Sequence, residues 1–253
     1  MQKERRGIVL QKKMICLIGA VVLLAVCMFA ASKNNRNAGE NTLLFGTEHT
    51  QEPYASAPLS EEQVPDVQAL AKENPDCIGW LRIPDTKIDD PVLQHLADEN
   101  YYLDKDFYQN EDKNGSLILD NDSDLKQVGT NLIIHGHNMK SGEMFGLLPE
   151  YEKESYGKEH SLIYLYTEEE LRTYQLIAVF YSKVYYENED VFKYYKYFGQ
   201  GKTEFEEFYE NIKALSMYDT GVEAVYGDEF LTLSTCTYHT ENGRFVVVGK
   251  RIY

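Results

Sequence analysis

Between Cys77 and Ile252 the chain breaks into eight short runs that are apolar or alternate between apolar and polar residues. They are Cys77-Ile83, Ile88-Leu93, Ser116-Leu119, Thr130-His135, Ser161-Tyr166, Thr173-Ser182, Phe230-Thr235 and Phe245-Ile252. Turn signals such as Pro84-Asp85 and Lys113-Asn-Gly115 separate them. Short, evenly punctuated strands cannot each bury a face alone, so they must close on one another as a barrel or a sandwich. Two stretches break the pattern. Val67, Leu70 and Ala71 have helical spacing that ends before Asn74-Pro75, where the proline disfavours a helical residue ahead of it. In Thr203-Met217, Phe205, Phe208, Ile212 and Leu215 repeat with helical period between acids, which predicts an amphipathic helix lying on the barrel flank. The fold class is therefore mostly β with peripheral helices, in one domain spanning 64–253.

What precedes that domain has a different character. Met14 to Ser32 carries no charge over 19 residues, enough to cross an apolar layer of about 30 Å as a helix. The first 36 residues hold Lys3, Arg5, Arg6, Lys12, Lys13, Lys33 and Arg36 against Glu4 alone, a charge of +6. The whole chain carries -16, so the other 217 residues carry -22. The expected organisation is a basic cytoplasmic tail at 1–13, a transmembrane anchor at 14–32, a flexible extracellular linker at 33–63 and the domain outside the membrane. Phe29-Ala-Ala-Ser32 offers the small residues of a signal-peptide cleavage site, but the apolar stretch exceeds the usual signal core, so a retained single-pass anchor is expected. A domain at -22 lacks the basic face that phosphate contacts demand, which excludes nucleic acid as a partner.

Cys77 and Cys236 are the cysteines outside the apolar segment. Cys77 stands beside Ile78 and Trp80 and reads as a small buried hydrophobe. Cys236 ends the run Leu231-Thr-Leu-Ser-Thr-Cys236, where alternation sends the leucines to one strand face and the cysteine to the other. His137 leaves an apolar strand through His135-Gly136-His137, and Arg244 follows Glu241-Asn-Gly243, which predicts a tight turn and places Arg244 across from Tyr238 or His239. A thiol, an imidazole and a guanidinium together supply a nucleophile, a proton shuttle and an oxyanion partner. Each residue also has a structural reading: a packing thiol, a surface histidine, an exposed hairpin arginine. His135 and His239 compete for the shuttle role. Two other functions remain open at this point. One is a zinc-dependent hydrolase built on His135, His137 and Cys236, although the spacing lacks a paired metal motif. The other is a non-catalytic surface binding module.

Thr232-Leu-Ser-Thr-Cys236 with Arg244, and Gly136-His137 after an apolar strand, resemble the sortases, surface transpeptidases of Gram-positive bacteria. Asn74-Pro-Asp-Cys-Ile-Gly-Trp80, Tyr102-Leu-Asp-Lys-Asp-Phe-Tyr108, Lys113-Asn-Gly-Ser116 and His137-Asn-Met-Lys-Ser-Gly-Glu-Met-Phe145 are similar to class B in particular. Asp90-Pro91 precedes valine within a strand, unlike the lid motif of the pilin-polymerising class C. The resemblance implies an eight-stranded sortase-type β-barrel with an N-terminal helical extension and a helix in the loop before the last strands. It implies that Cys236 forms a thioester with the threonine of a sorting pentapeptide near the C-terminus of a secreted protein. His137 would move the proton, Arg244 would hold substrate and oxyanion, and Ser234 and Thr235 would shape the oxyanion site. An amine of a cell-wall precursor, a peptidoglycan intermediate, would then take the acyl group, with no metal and no cofactor. One departure is His135, where many members carry tyrosine before Gly-His.

Overall fold

A computed structural model describes residues 64–127, 131–199 and 201–253. The tail, the apolar segment at 14–32 and the linker to residue 63 lie outside the described residues, as does Thr130 of the fourth predicted strand. Among the described residues no helix is long and apolar enough to cross a membrane.

All eight predicted strands form. They are β1 (Cys77–Arg82), β2 (Asp89–Leu93), β3 (Leu117–Leu119), β4 (Asn131–Gly136), β5 (Leu162–Tyr166), β6 (Leu171–Lys183), β7 (Phe230–Cys236) and β8 (Gly243–Arg251). They close into a barrel in the order β1-β2-β3-β4-β7-β8-β6-β5. Two neighbouring pairs run parallel, β2 with β3 and β4 with β7. A parallel pair needs a long crossover, and β4 reaches β7 through two further strands and two α-helices.

Alternation sorts the side chains. Leu231, Leu233, Phe245, Val247, Leu132 and Ile134 point inward and form the barrel core with Leu81, Ile163 and Val179. The opposite face of the same strands is apolar too, because Phe230, Val246, Val248 and Phe180 lie beneath the helix α3 (Lys202–Leu215). That helix buries Phe205, Phe208 and Ile212 against them, as its periodicity predicts. Each such side chain removed from water stabilises the fold by about 1.5–3 kcal/mol. The first helix, α1 (Val67–Glu73), starts at Asp66, whose carboxylate accepts the Ala69 amide proton at 2.9 Å. It ends at Asn74, in an extended conformation before Pro75. A short α2 (Glu154–Glu159) was not anticipated from the sequence, nor were the 3-10 turns Leu148–Glu152 and Tyr194–Lys196.

The turn before β8 differs from the expectation. Cys236 pairs with Arg244 across the β7–β8 ladder, so Tyr238 and His239 lie in the connection rather than opposite Arg244. The connection runs over residues 237–242 and is closed by Thr237 N–H to Gly243 O at 3.0 Å and Gly243 N–H to Thr240 O at 3.1 Å. Asn242 adopts φ 55°, a left-handed conformation that asparagine tolerates, and lets the longer loop return to the ladder. The arginine is thereby carried two residues nearer to the cysteine than a tight turn would place it.

Candidate active site

Three neighbouring strands deliver the three residues. β7 is central and ends at Cys236, which is free and exposed. On one side the antiparallel ladder sets Arg244 of β8 directly opposite Cys236. On the other side β4 runs parallel, with His135 beside Ser234 and Gly136 beside Thr235. The next step of that register carries His137 alongside Cys236. Asn138 secures this junction, its side-chain amide donating to the Cys236 carbonyl at 3.0 Å. The three candidates line one cleft of about 350 Å³, together with Glu99, Asn100, Leu103, Ile118 and Asp120. Clefts of about 410 and 530 Å³ lie elsewhere, but neither is lined by a cysteine or a histidine, so size does not mark the chemistry.

His137 is half-buried, and its Nε2 lies 2.7 Å from the Leu103 carbonyl oxygen. A carbonyl only accepts, so Nε2 carries a proton in this arrangement, and the neutral ring keeps its lone pair on Nδ1. The imidazole can thus take or return a proton through one nitrogen while the other is held. Arg244 donates through Nη1 to Gly243 O at 3.0 Å and to Asn242 O at 3.3 Å. Among the described residues it has no carboxylate partner within 4.0 Å, so its other donors remain available for an anionic or carbonyl oxygen.

The hydroxyls before the cysteine sit deeper. Ser234 and Thr235 are each 1% exposed. Ser234 Oγ meets the Tyr194 hydroxyl at 2.7 Å, and Thr235 Oγ1 donates to Gly136 O at 2.7 Å, cross-linking β7 to β4. Burial pushes the Tyr194 phenol up to about 12, against which its bond to Ser234 and the charge of Arg244 pull down, so it stays protonated behind Cys236. Neither Tyr194, Asn138 nor the Leu103 carbonyl was picked out from the sequence. A backbone acceptor has no residue-type signature, and Tyr194 lies 40 residues from its partner in a stretch without periodicity.

The competing histidines are occupied otherwise. His135 Nε2 lies 3.1 Å from Asp120 Oδ2. Burial works to raise the Asp120 carboxyl, but the bond from His135 and the Asp122 backbone amide bring it below its ordinary value. His239 lies in the 237–242 connection and packs on Tyr181 with ring centroids 4.6 Å apart. His135 lines the same cleft as His137 and Cys236, but among the described residues no group of three or more His, Cys, Asp or Glu side chains could hold a metal ion. Cys77 is 2% exposed, and burial raises its thiol to about 11, which suits packing rather than nucleophilic attack.

The chain is similar over most of its length to proteins already known. The model of the Sortase domain family matches residues 81–252. Sortase B of Listeria monocytogenes is 32% identical over 239 residues, covering 92% of this chain and 94% of the relative. Sortase B of Staphylococcus aureus is 30% identical over 190 residues, covering 74% and 75% respectively. Among solved structures, a Staphylococcus aureus sortase B-substrate complex superposes with a TM-score of 0.66 at 27% identity, covering 74% of this chain and 84% of that one.

Proposed function

The chain belongs to the sortase family, in its class B branch, and is a cysteine transpeptidase; from this we propose the finer steps of its reaction and its place in the cell. Cys236 Sγ attacks the carbonyl carbon of the threonine in a C-terminal sorting pentapeptide of a secreted protein as its thiol proton passes to the free ring nitrogen of His137. The oxygen of the tetrahedral intermediate is stabilised by Arg244, while Ser234 and Thr235 shape that end of the site by holding the strand behind the nucleophile. His137 protonates the departing amine as the carbon–nitrogen bond breaks, leaving a thioester on Cys236. An amine of a peptidoglycan precursor then adds to the thioester, His137 removes its proton, and the thiol leaves as the new amide forms. Water in place of the amine gives hydrolysis as a side reaction.

The observation that carries this reading is the register: Cys236 opposite Arg244 on one side, and Gly136 beside Thr235 on the other, with His137 following Gly136 into the same cleft. No metal and no cofactor enters these steps. The apolar segment Met14 to Ser32, preceded by basic residues, supports a single-pass anchor with a cytoplasmic N-terminus and an extracellular catalytic domain. That placement sets the thiol at the membrane surface where wall precursors emerge.

The test uses the full chain with a library of C-terminal peptides containing threonine within the pentapeptide. Mass spectrometry is expected to find an acyl adduct on Cys236 that Cys236→Ala abolishes and that a chelator leaves untouched. Peptide cleavage by the alanine variant, or its loss on chelation, would refute the assignment.

A further inference from the structure

Three sequence segments to which the reaction assigns nothing, Asn74-Pro-Asp76, Tyr102 to Tyr108 and Lys113 to Ser116, meet around one peptide carbonyl, and it is the one that holds His137. Leu103 O accepts the His137 Nε2 proton at 2.7 Å. Its opposite side rests on Gly115, which has φ +60° and no side chain. A Cβ placed there would lie 2.3 Å from Leu103 O, 2.8 Å from Leu103 C and 2.9 Å from Tyr102 O. All three are backbone atoms, so the collision could be relieved only by moving backbone, either the Leu103 carbonyl or the Gly115 turn that meets it. The Ser116 amide donates to Tyr102 O at 3.0 Å, and Ser116 Oγ donates to Lys105 O at 2.8 Å, so both flanks of Leu103 are laced to the same turn.

The side chain just before that carbonyl is anchored at depth. Tyr102 is fully buried, and its hydroxyl donates to Asp76 Oδ2 at 2.9 Å and accepts from Asn74 Nδ2 at 3.0 Å. Asn74 is 3% exposed and also donates to Phe107 O at 2.9 Å. His95 Nδ1 shares the Asp76 carboxylate at 2.8 Å. A connection that would otherwise be a surface loop is pinned to the start of the barrel by buried, partnered polar groups, a costly arrangement to build for packing alone.

We infer that Gly115 and Tyr102 are positioning residues for His137, acting through the Leu103 carbonyl. The carbonyl fixes which ring nitrogen carries the proton, and so which nitrogen faces the thiol and the leaving amine. Gly115 admits the carbonyl to its position, and Tyr102 keeps it there. This rests on the reading of His137 as the proton shuttle.

The experiment compares the full chain with its Gly115→Ala and Tyr102→Phe variants by two readouts: the rate of Cys236 acylation by the sorting peptide, and 15N shifts of the His137 ring after selective histidine labelling. Gly115→Ala is expected to lower kcat for acylation at least tenfold with little change in KM, and to mix the His137 tautomers. Tyr102→Phe, which keeps the ring and its packing, is expected to lower kcat about threefold to tenfold with a shifted pH profile. Folded variants that acylate at the parental rate with unchanged His137 shifts would overturn the inference. Should Gly115→Ala fail to fold, Tyr102→Phe decides by itself. The nitrogen shifts report positioning even if no peptide acylates the parent chain, an outcome that would refute the proposed reaction instead.

Discussion

The hydroxyl pair behind Cys236 allows a quantitative prediction. Tyr194 and Ser234 are both 1% exposed and share a 2.7 Å bond, with no bulk water to take the place of either partner. Tyr194→Phe preserves the ring and its edge contacts with Phe180 and Tyr195, at centroid separations of 6.0 and 5.1 Å, so no cavity opens. What is lost is one neutral hydrogen bond, and what remains is an orphaned Ser234 hydroxyl. Leaving a buried polar group unpaired costs about 1–3 kcal/mol, more than the roughly 1 kcal/mol net value of the bond itself. In a domain of this size that corresponds to a fall in Tm of about 2–12 °C. Ser234→Ala leaves the Tyr194 hydroxyl orphaned and is expected to cost a similar amount. The double variant removes both groups and should lose less than the sum of the singles, with a coupling of about 1–2 kcal/mol. Urea unfolding of the four proteins measures the cycle. Penalties that add to within about 0.5 kcal/mol would show that the two hydroxyls do not depend on each other. Acylation separates strand support from direct oxyanion contact. Support predicts that Ser234→Ala and Tyr194→Phe change kcat alike and by less than about threefold, whereas loss of an oxyanion donor costs about a hundredfold or more, and only in Ser234→Ala.

Two further perturbations test the scaffold. Asp90 is largely buried with Oδ2 unpartnered; burial first, opposed by the Asp89 backbone amide and assisted by the charges of Asp89 and Glu143, lifts its carboxyl from 3.8 to about 6. The fold thus favours the protonated acid, a contribution present in full below the ordinary value and lost as pH rises through about 6. Asp90→Asn is expected to raise Tm at pH 7.5 by the equivalent of up to about 2 kcal/mol and to flatten the decline between pH 4 and 6, and a variant profile parallel to the parent's would refute this. Phe208 is 1% exposed and lies 4.6 Å from the Tyr197 ring and 5.2 Å from the Phe230 ring, so Phe208→Ala should cost about 3–5 kcal/mol in urea unfolding and loosen α3 from the barrel. A loss below about 1 kcal/mol would mean that the helix is not held through this contact.

How much of this was legible in the sequence depends on the range of the interaction. All eight strands and the α3 stripe could be read because each is written in the local alternation of side chains. Parity alone placed Cys236 off the leucine face, and the structure has Leu231 and Leu233 in the barrel core with Cys236 exposed. The hairpin misled because Glu241-Asn-Gly243 contains the residues of a two-residue turn. The ladder instead ends at Cys236, and the loop closes through Thr237, Thr240 and Gly243, a choice made by strand register rather than by turn composition. The short α2 carried no signal, as a six-residue helix spans under two turns and shows no period. The Leu103 carbonyl and the Tyr102 network were invisible for a different reason. Their partners are separated by 34 and 28 residues, and one of the groups is backbone.

The barrel order explains why Cys236, at a strand end, has neighbours delivered to it from both sides. Had β4 run antiparallel to β7, its C-terminal exit would lie at the opposite end of the barrel from Cys236, and His137 could not reach the thiol. The parallel pairing makes the ends of β4 and β7 coincide, and the antiparallel pairing of β7 with β8 makes the end of β7 coincide with the start of β8. The proposed site therefore sits where two C-termini and one N-terminus of adjacent strands meet. Residues there are free of the ladder on one side but held by it on the other. Hydrogen bonds that cross this rim, from Asn138 to Cys236 O and from Thr235 to Gly136 O, extend the sheet's order one residue past its last rung. His137 lies between the residues that these bonds tie down, its backbone held while its ring stands outside the ladder, and the ring's hydrogen bond comes from the connection that presents Leu103.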